Sequence, residues 1–192
     1  MNQPALSLQL REQTAAAHEA LEDGLDLLRE DLTRQHYVEL LHAFNGYLTP
    51  WLERVAAQLP AELREALDGQ RHLRRLDDDL QQLDANRSSP PCSELPAIDN
   101  FASALGSCYV IEGSMLGARI VGPALQKRFG LAADSGCAYF SGDGDKTGKR
   151  WSYFRNLLDT RLDTAEHPAA IAAANQTFQT LLRWFKSREV AR

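Results

Sequence analysis

The stretch Tyr109-Val-Ile-Glu-Gly-Ser-Met-Leu-Gly-Ala-Arg-Ile-Val121 lies inside an apolar, helix-compatible run from about Phe101 to Phe129. The run also contains Gly106, so Gly106, Gly113 and Gly117 fall within about 40° of one another on a helix that turns about 100° per residue. Each glycine inside a helix costs roughly 0.5–1 kcal/mol relative to alanine. The stripe of three glycines therefore indicates a requirement that outweighs helix propensity.

Two interpretations of this glycine stripe are open. Small residues on one face let two helix backbones approach closely, which predicts a helix–helix contact. Alternatively, a flat ligand lies directly on the exposed backbone, and the helix bends where the glycines allow it. The small neighbours Ser114 and Ala118 fit both interpretations, and the spacing alone favours the helix–helix contact.

The composition is typical of a soluble globular protein, with 44% hydrophobic and 24% charged residues. We expect one domain over residues 1–192. A net charge of −5 argues against general nucleic-acid binding. Neither a membrane span nor a signal peptide is expected from the apolar runs. The odd number of cysteines, Cys92, Cys108 and Cys137, lacks metal-site spacing and favours a reducing, cytoplasmic setting.

The apolar periodicity predicts an all-α fold, because no convincing alternating strand pattern or internal repeat occurs. We expect a first helix to about Glu22, stopped by Asp23-Gly24, and a second that Thr33 caps and Pro50 kinks without ending. A shorter helix is expected to begin at Pro60, and another is expected to end at about Asp84. The glycine-bearing run is expected to form the next helix, and the last two are expected over Lys149–Asp163 and Pro168–Arg188. Loops are expected at Asn86–Pro96 and Gly136–Gly148.

Four of the five histidines show little sign of function. His72 and His167 have strongly polar sequence neighbours and are predicted to be solvated, and His36 is predicted to lie at the surface. His42 follows Glu39 in the E-x-x-H spacing of carboxylate-bridged di-iron bundles. Those bundles use the motif twice with two further carboxylates, whereas it occurs once here, which argues against a di-iron site.

His18 differs because Glu22 follows it by four residues, which places both side chains on one helix face. A metal-bound imidazole usually donates its second N–H to a carboxylate or carbonyl. The pair therefore suits a metal ligand with its hydrogen-bond partner. The alternative is an ordinary surface pair worth a few tenths of a kcal/mol, and spacing alone favours that alternative.

Two motifs together resemble the heme-binding helices of bacterial heme oxygenases. Leu10-Arg-Glu-Gln-Thr-Ala-Ala-Ala-His-Glu-Ala-Leu-Glu22 resembles their proximal helix, and Tyr109-Val-Ile-Glu-Gly-Ser-Met-Leu-Gly-Ala118 resembles their distal helix. Asn175–Trp184 is similar to their C-terminal helix, so the resemblance covers nearly the whole chain. It implies a single multi-helix bundle with heme between the proximal helix and a kinked distal helix. The implied reaction converts heme, with O2 and external electrons, to biliverdin, CO and iron.

The resemblance also implies roles for particular residues. His18 would bind the iron, with Glu22 as its hydrogen-bond partner, and Gly113, Ser114 and Gly117 would form the catalytic distal wall. Ser114 stands where mammalian members have an aspartate. The carboxylate-anchored water network of those enzymes therefore does not carry over directly.

The two heme propionates need cations at the mouth of the pocket. Arg11 lies two helical turns before His18 on the same face, where the family places a basic residue. Lys149, Arg150 and Arg155 lie in a second region where the family uses basic residues, and the sequence does not fix which of them reaches a propionate. Phe178 is expected to contact the ring.

Heme would serve as both cofactor and substrate. The chain has no G-x-G-x-x-G motif after a strand, so a ferredoxin or reductase is expected to supply electrons. Within the family, the resemblance points first to the type that supplies biliverdin to a bacteriophytochrome. Two alternatives stand beside this prediction: a heme-binding or heme-transfer protein that performs no oxidation, and a heme-free helical enzyme of the thiaminase or cofactor-synthesis kind.

Overall fold

The computed structural model describes residues 4–85 and 87–192, and these residues contain α-helices and short 3-10 turns without a strand. The all-α prediction is therefore confirmed. The α-helices are α1 (Leu6–Gln13), α2 (Ala15–Leu25), α3 (Arg34–Gln58), α4 (Ala61–Leu67), α5 (Gln70–Gln82), α6 (Phe101–Phe129), α7 (Ala138–Ser141), α8 (Thr147–Arg161) and α9 (His167–Ser187).

Several predicted helix boundaries are confirmed where the signal is local. The Thr33 hydroxyl accepts a hydrogen bond from the His36 backbone N–H at 3.1 Å, which caps α3. The helix continues through Pro50, and Pro60 precedes α4 as its N-cap. At the start of α6, Asn100 caps the helix by accepting from the Ser103 N–H at 2.9 Å.

The N-terminal helix differs from the prediction at both its middle and its end. It is interrupted at Thr14, whose hydroxyl donates to the Leu10 carbonyl at 2.7 Å. It then continues beyond the predicted stop, because Gly24 is buried against α9. A Cβ at Gly24 would lie 2.7 Å from Leu182 Cδ1. This tertiary contact outweighs the local Asp-Gly stop signal.

The predicted loop at residues 136–148 was wrong in part, since it contains α7, a 3-10 turn and the start of α8. Asp79 of α5 explains the helical segment, because its carboxylate accepts from the backbone N–H groups of Ala138 at 2.5 Å and Tyr139 at 2.8 Å. The other predicted loop is confirmed for residues 87–96, which are irregular. Asn86 lies outside the described residues.

Two histidines predicted to be solvated are instead buried. His72 on α5 is 1% exposed, and its Nε2 lies 3.5 Å from Glu112 Oε1. His167 at the start of α9 is also buried, with its Nδ1 3.0 Å from Gln9 Nε2. The prediction failed because it considered only sequence neighbours. Each histidine instead meets a polar partner on another helix, which allows it to be buried away from solvent.

Helix α9 is the common support of the bundle, since α1, α2, α3 and α6 all pack against it. The approach of α6 to α9 is close, because a Cβ at Gly106 would lie 2.0 Å from the Ala170 carbonyl oxygen. Next to this contact, Ser107 Oγ lies 2.7 Å from Thr177 Oγ1. Helix α9 therefore holds α2 and α6 in fixed positions on its surface.

Candidate active site

The imidazole of His18 is accessible on α2, with 52% of its side chain exposed. It meets the ring of Phe178 on α9 edge to face, with centroids 5.5 Å apart and an interplanar angle of 84°. Glu22 Oε1 lies 3.5 Å from His18 Nε2, which is long for a hydrogen bond. The imidazole is therefore able to take a ligand while a carboxylate stands beside it.

The glycine stripe of α6 divides into a closed part and an open part. Gly106 is closed by the backbone of α9, as the predicted helix–helix contact requires. At Gly113, a Cβ would meet only the Trp151 ring of α8, at 3.5 Å, and at Gly117 it would meet no described atom within 4 Å. The helix–helix interpretation therefore accounts for Gly106, whereas Gly117 at the C-terminal end of the stripe presents uncovered backbone.

Tyr109 marks the place where the open face of α6 meets the N-terminal helices. It lies one turn before Gly113 on α6, just as Thr14 lies one turn before His18. Burial raises the pKa of the Tyr109 phenol, and the nearby Thr14 hydroxyl partly offsets that rise. Tyr109 and Thr14 are therefore close to each other, one helical turn before Gly113 and His18 respectively.

Two of the four basic candidates, Arg11 on α1 and Arg155 on α8, lie beside this junction. Both guanidinium groups act to lower the pKa of the Tyr109 phenol against the larger effect of burial. Both side chains are exposed. They are thus placed to meet an anionic group at the edge of the open face.

The other two basic candidates lie on a different side of α8. Lys149 is about 160° around the helix from Trp151, the residue that contacts Gly113. Arg150 donates from Nη2 to the Leu67 carbonyl at 2.7 Å, and its Nε lies 3.4 Å from Asp143 Oδ2. The structure therefore separates Lys149 and Arg150 from Arg11 and Arg155.

Ser114 is exposed on α6, and its hydroxyl donates to the Ile111 carbonyl at 2.8 Å. That bond uses the single hydroxyl proton and leaves the oxygen lone pairs available as acceptors. Ser114 can therefore accept a hydrogen bond from a donor on the open side of the helix.

Sequence reasoning missed the aromatic wall of this site. Trp151 covers Gly113, and its ring centroid lies 5.4 Å from that of Tyr109. Tyr109 belonged to the quoted motif without an assigned role, and Trp151 follows the basic pair that drew attention to α8. A tryptophan directly after the basic pair, at the start of an aromatic-rich helix segment, was the available signal.

A buried ion network on the other side of α6 was also missed. Glu112 lies 2.5 Å from Arg71 Nη2 and 3.5 Å from His72 Nε2. Burial acts to raise the pKa of Glu112, but the hydrogen bonds and charges of His72 and Arg71 outweigh it and hold the pKa below its usual value. The signal was a single carboxylate within an apolar helical run, which requires a partner when buried.

The described residues contain no group of three or more histidine, cysteine, aspartate or glutamate side chains placed to hold a metal ion. His42 instead pairs with Ser89, its Nδ1 lying 2.8 Å from the serine Oγ. Across residues 4–85 and 87–192, no helix has both the length and the apolar character needed to cross a membrane.

Comparison with known proteins agrees with this arrangement of helices. The sequence model of the family described as Heme oxygenase matches residues 4–187. A heme oxygenase from Xanthomonas campestris pv. campestris (strain 8004) is 34% identical over 160 residues, which cover 80% of this chain and 85% of the relative.

Solved structures of low sequence identity share the fold. The NO- and CO-bound heme oxygenase of Neisseria meningitidis superposes with a TM-score of 0.81 at 19% identity, covering 97% of this chain and 92% of that one. Heme oxygenase from Leptospira interrogans gives a TM-score of 0.76 at 17% identity, covering 96% and 100%. The family match and the 34% identical relative establish the chain as a heme-degrading oxidoreductase that belongs to the heme oxygenase family.

Proposed function

We propose that heme binds between α2 and α6, with His18 as the iron ligand and with Gly113, Ser114 and Gly117 on the opposite side of the ring. The observation that carries this proposal is the open backbone at Gly117. At Gly106, in the same stripe, the corresponding space is occupied by the backbone of α9. A flat macrocycle can lie against a helix backbone only where no side chain projects from that face of the helix. When bound, heme supplies the iron at which O2 reacts and is itself the substrate that is oxidised.

His18 and Glu22 act together in this proposal. A neutral imidazole binds iron through one ring nitrogen, and the other then carries a proton that needs an acceptor. The Glu22 carboxylate, already 3.5 Å from the His18 ring one turn further along the helix, is that acceptor. Phe178 lies under the imidazole edge and restricts its rotation. Glu22 thus fixes the tautomer, and Phe178 limits the ring orientation.

The two propionates are assigned to Arg11 and Arg155. These residues come from α1 and α8, and both lie near enough to Tyr109 for their charges to act to lower the pKa of its phenol. Guanidinium groups bind carboxylates strongly because they offer paired, charged donors. The sequence also suggested Lys149 and Arg150, but they lie on another side of α8, with Arg150 already bonded to Leu67.

Ser114 provides the polar group on the distal side. Its oxygen can accept a hydrogen bond from water, and a held water can deliver a proton to a ligand above Gly113 and Gly117. Because serine has no charge, we expect proton delivery here to depend less on a fixed anion than in members with an aspartate at this position.

The electrons are assigned to an external ferredoxin or reductase, and O2 is the co-substrate. The sequence offers no nucleotide-binding motif that would bring a flavin or nicotinamide into the chain. A bacteriophytochrome is the proposed acceptor of the biliverdin product. All three cysteines are buried and unpaired, which fits a reducing compartment such as the cytoplasm.

Replacing His18 with alanine tests the assignment of the iron ligand. Hemin-titrated His18→Ala protein should lose the histidine-ligated absorption spectrum, and added imidazole should partly restore it. His36→Ala is the matched control, because His36 is partly buried, bonded to Arg29 and outside the cleft. An unchanged spectrum in His18→Ala would exclude His18 as the ligand.

A second measurement separates oxidation from simple heme binding. Hemin-loaded protein supplied with ascorbate in air should lose its Soret band and yield biliverdin. A stable Soret band with stoichiometric binding would indicate a heme-transfer protein. Failure to bind hemin at all would support the heme-free alternative on the same fold.

A further inference from the structure

A cavity of about 470 Å³ lies between α4 and α8, with α6 contributing one residue to its wall. Ala66, Leu67 and Tyr153 supply an apolar surface, and Tyr153 is 48% exposed. Lys146, Lys149 and Arg150 supply the basic groups. Apolar walls with a few convergent charges are typical of small-molecule sites of this size.

The charges around the cavity leave an excess of cations. Its one carboxylate, Glu112, is already paired with Arg71 at 2.5 Å and lies close to His72. None of the ion pairs found within residues 4–85 and 87–192 involves Lys146 or Lys149. In a chain with a net charge of −5, this is a locally basic cavity.

The Asp143 carboxylate near Arg150 does not neutralise the basic groups beside the cavity. Arg150 shares Asp143 with Arg71 and Arg75, whose nearest distances to that carboxylate are 3.6 Å and 2.8 Å. Arg150 Nε is buried, and within the described part of the chain it has no hydrogen-bond acceptor. One carboxylate therefore lies close to three guanidinium groups, so the cluster beside the cavity keeps an excess of positive charge.

The cavity is separate from the cleft assigned to heme. Viewed along α8, Lys149 lies about 160° from Trp151 in one direction and Tyr153 about 160° in the other. Both residues are therefore on the side of the helix opposite Trp151. Trp151 faces Gly113, whereas Lys149 and Tyr153 face α4 and its Leu67. Helix α8 therefore presents one side to the cleft and another to the cavity.

We propose that this cavity binds a small organic anion. Its carboxylate or phosphate group lies against Lys146, Lys149 and Arg150, and its apolar body lies against Leu67 and Tyr153. This site is additional to the heme site, and its occupation does not require heme.

Calorimetric titration of the full-length protein with phenyl phosphate tests the proposal, with inorganic phosphate as the headgroup probe. Phenyl phosphate should bind with one-to-one stoichiometry, about tenfold more tightly than inorganic phosphate because the ring contacts the apolar wall. Its affinity should be the same in hemin-free and hemin-loaded protein. Tyr153→Ala should weaken phenyl phosphate binding and leave inorganic phosphate binding unchanged.

The double variant Lys146→Glu/Lys149→Glu should lower the affinity for both probes by about tenfold or more. The matched control, Lys127→Glu/Lys186→Glu, makes the same change in net charge at exposed positions on α6 and α9. Equal losses in the two double variants would overturn the proposal, because the effect would then follow net charge. Absence of saturable binding, or displacement of the probes by hemin, would overturn it as well.

Discussion

Gly106 and Gly117 lie on one stripe of α6, but their surroundings differ completely. A Cβ at Gly106 would lie 2.0 Å from the Ala170 carbonyl oxygen, whereas a Cβ at Gly117 would meet no described atom within 4 Å. The same residue type thus permits backbone contact in one half of the helix and leaves a bare surface in the other. A glycine stripe identifies where a backbone is approached, and the neighbouring elements decide whether a helix or a ligand approaches it.

The largest expected effect is on the closed half. Gly106→Ala should lower the free energy of unfolding of the heme-free protein by roughly 3 kcal/mol or more, because the new methyl group meets fixed backbone. Gly117→Ala should instead raise it by up to about 1 kcal/mol through helix propensity. Urea unfolding of both variants measures the difference, and equal changes would contradict the division of the stripe.

A third glycine extends the comparison toward the C-terminal end of α6. A Cβ at Gly122 would lie 2.2 Å from the Phe140 carbonyl oxygen of α7. Asp79 holds α7 by accepting from the Ala138 and Tyr139 N–H groups. Burial raises the pKa of Asp79 to about 6, although these two hydrogen bonds act to lower it. The segment that closes Gly122 therefore depends on a titrating group.

Asp79 should make the stability of the protein depend on pH. Because its pKa is higher in the folded than in the unfolded state, its contribution is complete below about pH 4 and is lost as the pH rises through about 6. The free energy of unfolding of the wild type should fall relative to that of Asp79→Asn between pH 4 and 7, by at most about 3 kcal/mol. Urea titrations across this range measure it, and a constant difference would be contrary to expectation.

Local signals were sufficient for much of the fold. Thr33 caps α3 as expected, and α6 spans Phe101–Phe129 as the apolar run predicted. The failures come from contacts distant in sequence. Gly24 stays helical because Leu182 packs on it, and α7 forms because Asp79 accepts from its first N–H groups. Periodicity and capping rules contain no information about such partners.

The candidate site was predictable to a similar extent. His18, Gly113 and Gly117 belong to continuous motifs, and the structure leaves all three accessible or only lightly covered. The division of the basic residues was not predictable, because it depends on which side of α8 faces the cleft. The spacing likewise could not show that Gly106 and Gly117 have different neighbours.

The smallest expected effect concerns Glu22 on the proximal side. In heme-free protein, Glu22→Gln should change the free energy of unfolding by only a few tenths of a kcal/mol, since the His18 contact is exposed. In the ferrous heme complex, the iron–histidine stretching frequency should fall, because a neutral amide gives the imidazole less anionic character. Resonance Raman spectroscopy measures this frequency. An unchanged value would leave Glu22 as a surface residue.

Gly117→Leu, measured beside Ala124→Leu, tests the assignment of the open half most directly. Ala124 is an exposed residue two helical turns beyond Gly117, so the control adds the same bulk to the same helix outside the proposed distal wall. Heme-free Gly117→Leu protein should keep or slightly gain thermal stability, while its biliverdin yield falls well below those of the wild type and Ala124→Leu. A severely destabilised Gly117→Leu protein whose folded fraction still makes biliverdin normally would contradict the assignment of Gly117 to the distal wall.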